Sequence, residues 1–211
     1  MCGRRAGAGF SMLRSLAVAN VSFAAAITVI PKHVQAENLV TIGGPWTLVA
    51  HDGETVTDRT YLGKWLLVFF GYTSCPDTCP MTLHEVAVAL DRLGPEAEQV
   101  RPLFITVDPQ RDTPEIVGQY TNSFDSRISG LSGSAEQLSA VTKVFGVYYT
   151  ARKYGAGAEE PLIDHSTYLY VMDPQGRFVR GFDADTPGDR IAVTLHELIG
   201  HDRARASERD R

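Results

Sequence analysis

Residues 65–83 read WLLVFFGYTSCPDTCPMTL, and both the fold and the chemistry of the chain turn on them. The run Trp65 to Phe70 is β-branched, aromatic or leucine at every position and stops at Gly71. An uninterrupted apolar run of that length reads as a strand buried on both faces. Cys75 and Cys79 follow, each trailed by a proline, and a helical pattern begins through Leu83, Val86, Val88 and Leu90. Two thiols therefore stand where a strand gives way to a helix N-terminus. There, unpaired backbone N–H groups and the helix dipole favour thiolate over thiol. Such a pair can do redox chemistry or hold a soft metal.

Upstream, Trp46–Val49 and Thr55–Thr57 flank the turn His51-Asp52-Gly53-Glu54, a hairpin pattern, with a helical turn expected at Asp58–Leu62, closed by Gly63. Downstream, Leu93-Gly94-Pro95 ends the cysteine-bearing helix, and Val100 to Val107 reads as a second buried strand. Thr113 is a good N-cap with Pro114 in the first helical position, for a helix over about 114–124. Capping accounts for that loop already, and a role for Asp108 or Arg111 at the site stays open. Ile128–Leu131 is a short strand, and Ser134 caps a helix from Ala135 to Phe145. A strand starts at Val147, a glycine-containing flexible loop covers Lys153–Glu160, and Ile163-Asp164-His165-Ser166 leads into a strand at Thr167–Met172. A turn at Asp173–Gly176 and a returning strand to Phe182 precede a last helix ending at Gly200, with a frayed charged tail beyond. Strands alternating with helices, then a hairpin and a helix, give an α/β fold: a mixed sheet flanked by helices on both faces, with an added N-terminal hairpin. A cysteine pair ending an early strand fits a thioredoxin-like arrangement.

The 211 residues suffice for one sizeable core. Residues 1–36 hold Arg4, Arg5, Arg14 and Lys32 but no acid, leaving 16 basic against 25 acidic residues in the body, a formal −9. That balance, without a basic stripe, argues against nucleic acid as a partner. The N-terminus reads as a targeting segment, with basic residues, an apolar run from Leu16 to Ile30, and Val34-Gln35-Ala36 resembling a cleavage site. The rival reading is a retained membrane tether through residues 16–30, short for a bilayer span. Either way the body is exported. The expected divisions are residues 1–36 as signal or anchor, 37–202 as the folded domain, and 203–211 as a charged flexible tail. Cys2 falls in the first of these, so the body has two cysteines. A disulfide closing so short a loop constrains little chain entropy and is a poor staple.

At i and i+4 of a regular helix the two Cβ atoms stand about 5–6 Å apart, somewhat wide for a disulfide and well suited to gripping one ion. Soft thiolates select Cu(I), zinc or iron–sulfur clusters. A structural zinc site calls for four ligands and a cluster for more cysteines, whereas Cu(I) is satisfied by two thiolates and an imidazole. His84 sits on the cysteine helix turned away from the pair. His196 and His201 mimic a zinc-protease motif but are five residues apart, off one helical face. His165 precedes a strand expected beside the central one, which brings a loop histidine alongside the thiols, with Asp164 as a potential acceptor for its second ring nitrogen. A lone histidine is often structural, and Met81 offers a thioether but is more often core filler.

Gly71-Tyr72-Thr73-Ser74-Cys75-Pro76-Asp77-Thr78-Cys79-Pro80 resembles the signature of the Sco/SenC copper chaperones. Val107 to Pro114, and Asp164-His165-Ser166 through Asp173-Pro174-Gln175-Gly176, resemble their second and third motifs in order, so the likeness covers about residues 40–200. It implies a thioredoxin-like domain binding copper through Cys75, Cys79 and His165, as Cu(I), with Cu(II) left open as a second state. It favours a non-enzymatic metallochaperone and leaves thiol–disulfide reductase activity open beside that role. With the exported N-terminal pattern, the expected place is the periplasm, free or anchored to the inner membrane facing it. An upstream copper donor would load it, and the CuA domain of cytochrome c oxidase subunit II would receive the metal. The alternative is a thiol–disulfide oxidoreductase or peroxidase-like reductant using the same cysteines. Against that stand the longer spacer and the lack of a proline directly before the Thr167 strand, where thioredoxins place a cis-proline.

Overall fold

The computed structural model describes residues 41–152, 162–209 and 211. The expected targeting segment, the tether at 16–30 and the loop at 153–160 lie outside the described residues. Thr47–Ala50 (β1) and Thr55–Thr57 (β2) form the N-terminal hairpin, in the register Leu48 opposite Val56. A 3-10 turn at Asp58–Tyr61 leads into the central strand Trp65–Gly71 (β3). Helix Thr78–Leu93 (α1) follows, then a 3-10 segment Gly94–Gln99 and strand Val100–Thr106 (β4). Next come Pro114–Asn122 (α2), Ser129–Ser132 (β5) and Ala135–Phe145 (α3). Strands Tyr149–Arg152 (β6) and Leu162–His165 (β7) form a separate two-stranded ribbon. The chain closes with Tyr168–Met172 (β8), Phe178–Asp183 (β9) and Gly188–Arg209 (α4).

Seven strands make one mixed sheet in the order β2-β1-β5-β4-β3-β8-β9. Strands β3, β4 and β5 run parallel, whereas β1 pairs β5 and β8 pairs β3 antiparallel. The two-residue period of β3 divides its side chains between two apolar layers. Leu67 and Phe69 join α1 and α4 on one face, through Leu83, Val86, Leu90, Ile191 and Leu195. Leu66, Val68 and Phe70 join α3 and the hairpin on the other, through Leu138, Val141, Phe145 and Leu48. Both faces are therefore covered, which is what the unbroken apolar run requires. Each fully buried leucine or phenylalanine contributes about 1.5–3 kcal/mol, so the two layers hold β3 from both sides.

Local signals fix several boundaries. Ser134 accepts from Gln137 N while the Gln137 side chain accepts from Ser134 N, a capping box that starts α3 at the expected residue. Gly146, left-handed at φ 65°, ends it and lets Val147 N donate to Thr142 O at 2.8 Å. Two expectations are corrected at the C-terminus. Gly200 does not end α4, and the charged stretch is helical through Arg209. Glu96 explains part of this: it receives His196 Nδ1 at 2.7 Å and Arg203 Nη1 at 2.8 Å, binding the added turns to the 3-10 segment. Among the described residues no helix is long and apolar enough to cross a membrane.

Candidate metal centre

The parallel end of β3 delivers the first two candidate ligands. Gly71 closes the strand, and its missing side chain is needed there: a Cβ would stand 2.7 Å from Cys79 Sγ and 2.8 Å from the Phe104 ring. Tyr72 to Asp77 then turn, with Cys75 N donating to Tyr72 O at 3.2 Å. Helix α1 starts only at Thr78, so Cys79 lies in its first turn while Cys75 precedes it. The i, i+4 helical spacing is thus corrected, because Asp77 takes the N-cap position between the two cysteines. Both cysteines are free thiols, Cys79 fully buried and Cys75 half-buried.

His165 arrives from another element. It ends β7 and pairs across the ribbon with Tyr149, which corrects the expectation of a loop histidine. Its ring sits edge-on to Phe69 and Tyr72, with centroids 6.2 and 6.0 Å away. Nε2 lies 3.7 Å from Cys79 Sγ, while Nδ1 lies 2.9 Å from the Ser166 carbonyl oxygen. A carbonyl oxygen only accepts, so Nδ1 carries the proton and Nε2 turns its lone pair toward the sulfurs. The acceptor is therefore Ser166 and not Asp164. Neighbouring strand residues face opposite ways, and Asp164 pairs with Arg152 at 2.8 Å instead. The Cys75 and Cys79 sulfurs and a His165 ring nitrogen all lie within 4.8 Å of one another, the only such metal-binding group among the described His, Cys, Asp and Glu residues.

The two thiols share their proton unequally. The Cys79 S–H hydrogen bond holds Cys75 far below the usual thiol range, helped by the backbone N–H groups of Asp77 and Cys79 at the helix start. The same hydrogen bond and full burial push Cys79 upward. The reduced site therefore presents one thiolate at its open edge and one thiol behind it, and a soft cation would displace the Cys79 proton.

The other candidates disperse. His84 is exposed on α1, His51 is exposed, His196 belongs to Glu96, and His201 is exposed farther along α4. Met81 is 50% exposed, so it is not core filler. Arg111 forms an ion pair with Asp108 and lays its guanidinium 5.9 Å from the centroid of the Tyr72 ring, so this pair buttresses the cysteine turn. Tyr72 links the two limbs directly, its hydroxyl accepting from Ile163 N at 3.3 Å. Sequence reasoning missed Asp112, buried behind the turn and bonded to Thr73. Its signal was the acid directly before a complete Thr-Pro cap, which left it without a capping role.

Residues 34–200 match the sequence model of the family described as SCO1/SenC. The chain belongs to that family. It is 38% identical over 184 residues to Protein SenC of Rhodobacter capsulatus, covering 83% of this chain and 82% of that one. It is 35% identical to the human protein called SCO1 homolog, mitochondrial, covering 73% of this chain but 52% of that longer one. Among solved structures, Arabidopsis thaliana ScoI with copper bound superposes with a TM-score of 0.71 at 35% identity, over 76% of this chain and 99% of that one. Bradyrhizobium japonicum ScoI with copper bound gives 0.68 at 39% identity, over 74% and 98%. The fold is thioredoxin-like, as the cysteine placement suggested.

Proposed function

We propose that this Sco/SenC chain is an exported copper metallochaperone. Reduced Cys75 and Cys79, with His165, take up Cu(I) as cargo from an upstream donor. They pass it by ligand exchange to the CuA site of cytochrome c oxidase subunit II. The observation carrying this reading is the convergence of two sulfurs and an imidazole lone pair within 4.8 Å. Three soft or borderline donors suit Cu(I) and fall short of a structural zinc set. The copper-bound relatives from Arabidopsis thaliana and Bradyrhizobium japonicum support the same choice. Imidazole ligation accommodates Cu(II) as a second state. Cys79 anchors the ion from behind, and an acceptor thiolate enters on the open side, beside half-buried Cys75 and His165. The basic-then-apolar composition of residues 1–36 supports export, with residues 16–30 as the tether if they are retained.

A second reading, reductant of the acceptor's own cysteines, is favoured by the Cys75 thiolate lying beside the Cys79 thiol. The two separate in one experiment. Reduced chain loaded with Cu(I) is mixed with a soluble, prereduced, metal-free CuA domain. Copper-free reduced chain is mixed with the oxidised domain. Metal delivery predicts that copper leaves the chain and the CuA absorption develops in the first mixture. If acceptor thiols appear in the second while copper never moves in the first, the reductant reading replaces it.

A further inference from the structure

Asp112 is outside the three-ligand cluster, yet its side chain is fully hidden from water. A carboxyl group so placed is costly unless hydrogen bonds replace its hydration. The replacements come from two sides. Oδ2 accepts from Thr73 N at 3.0 Å and Oδ1 from Thr73 Oγ1 at 2.5 Å. Oδ2 also accepts from Thr106 Oγ1 at 2.6 Å. Its backbone is fastened as well: Asp112 N donates to Asp108 O at 2.9 Å, and Ser132 Oγ donates to Asp112 O at 2.6 Å. Thr106 is the last residue of β4, so one side of the grip is the sheet itself. Thr73 stands two residues before Cys75, so the other side is the turn that presents the sulfur.

A two-point grip on one residue does more than fill a hydrogen-bond quota. Bonding both Thr73 N and Thr73 Oγ1 fixes the backbone direction and the χ1 rotamer together. Cys75 N then donates back to Tyr72 O, so the turn is built directly on the gripped pair. Along the same short path, Tyr72 reaches Ile163 N, two residues from His165.

We propose that Asp112 is the positioning residue of this site: through Thr73 it holds the Tyr72–Cys75 turn where the Cys75 sulfur can join Cys79 and His165 on one ion. This deepens the copper reading and rests on it for its metal consequence, whereas its consequence for sulfur–sulfur approach stands alone. Ligands fixed by outer partners bind metal roughly 10- to 100-fold more tightly than ligands left to find their places.

Four variants of the chain test it: Asp112→Ala, Asp112→Asn, Thr73→Val and Thr106→Val. Each is read three ways, by thermal unfolding, by Cu(I) competition with a chelator, and by disulfide closure. In the closure assay Cys79 Sγ attacks a Cys75–glutathione mixed disulfide, forming the Cys75–Cys79 bond and releasing one glutathione thiolate. Asp112→Ala is expected to weaken Cu(I) binding about 10- to 100-fold and slow closure by a similar factor. Asp112→Asn, which keeps one acceptor oxygen, should restore part of both and serves if the alanine variant does not fold. Thr73→Val should follow Asp112→Ala, whereas Thr106→Val, which leaves Asp112 bonded to Thr73 and fastened through its backbone to Asp108 and Ser132, should lower the unfolding temperature with a smaller change in copper binding and closure. Copper affinity and closure that merely track lost stability across all four variants would overturn the proposal. If the wild type takes up no Cu(I), the metal reading fails separately, and the closure rates still decide the role of Asp112.

Discussion

The two limbs of the site are built to different standards. The cysteine turn grows out of β3, a strand paired on both sides and buried on both faces. It is fastened by Asp112 to the end of β4. His165 rides on the β6–β7 ribbon, outside the seven-stranded sheet. A lone two-stranded ribbon is marginal by itself. What holds this one is buried Ile163, the Tyr72 hydroxyl, and a pair of bonds between Tyr148 and Ser166. On the proposed reading, the contrast would let a copper chaperone bind and still release: two sulfurs on the sheet-borne turn would keep hold of the ion, while the third donor sits on the two-stranded ribbon.

That division makes testable statements. Removing the ribbon's donor by His165→Ala should weaken Cu(I) binding roughly 1,000-fold, about 4 kcal/mol. The Cys75–Cys79 disulfide should still form and open, because both sulfurs remain framed. Chelator competition and a thiol-exchange assay read the two properties. Damage to the frame should act differently. In Gly71→Ala the new methyl meets Cys79 Sγ and the Phe104 ring. Overpacking there should cost about 1–3 kcal/mol of stability, with copper binding and disulfide closure both impaired. Thermal unfolding compared with His165→Ala, which should be nearly as stable as the wild type, separates frame from ribbon. The smallest effect should come from cutting the link between limbs. Tyr72→Phe removes the acceptor of Ile163 N and should cost about 1 kcal/mol. Amide exchange should quicken at Ile163 and its ribbon neighbours, while the β3 and β4 amides stay protected.

Much of this is legible in the sequence. The Ser134 cap, the Thr113-Pro114 start and the hairpin turn at 51–54 are local signals, and each element begins within a residue or two of its expected place. Cys75 and Cys79 stood out because a strand stop and a helix start bracket them. The failures share a cause: they depend on partners far away in sequence. The ribbon needs Tyr149 to find His165 across a long connection, so the local sequence around residue 165 carries no strand signal. Sequence adjacency points to Asp164 as the acceptor behind the imidazole, but strand alternation turns it outward and leaves the task to a backbone carbonyl that no sequence displays. Helix α4 passes Gly200 because Glu96, some hundred residues earlier, meets His196 and Arg203. Asp112 was masked by the plainer job of its neighbours.

The central claim is that one imidazole completes a pocket begun by two sulfurs. X-ray absorption at the copper edge, on reduced chain loaded with one Cu(I), reads that shell directly. Two sulfur neighbours and one imidazole nitrogen per copper are expected, the nitrogen vanishing in His165→Ala. A shell of sulfur alone, unchanged by that substitution, would contradict the account.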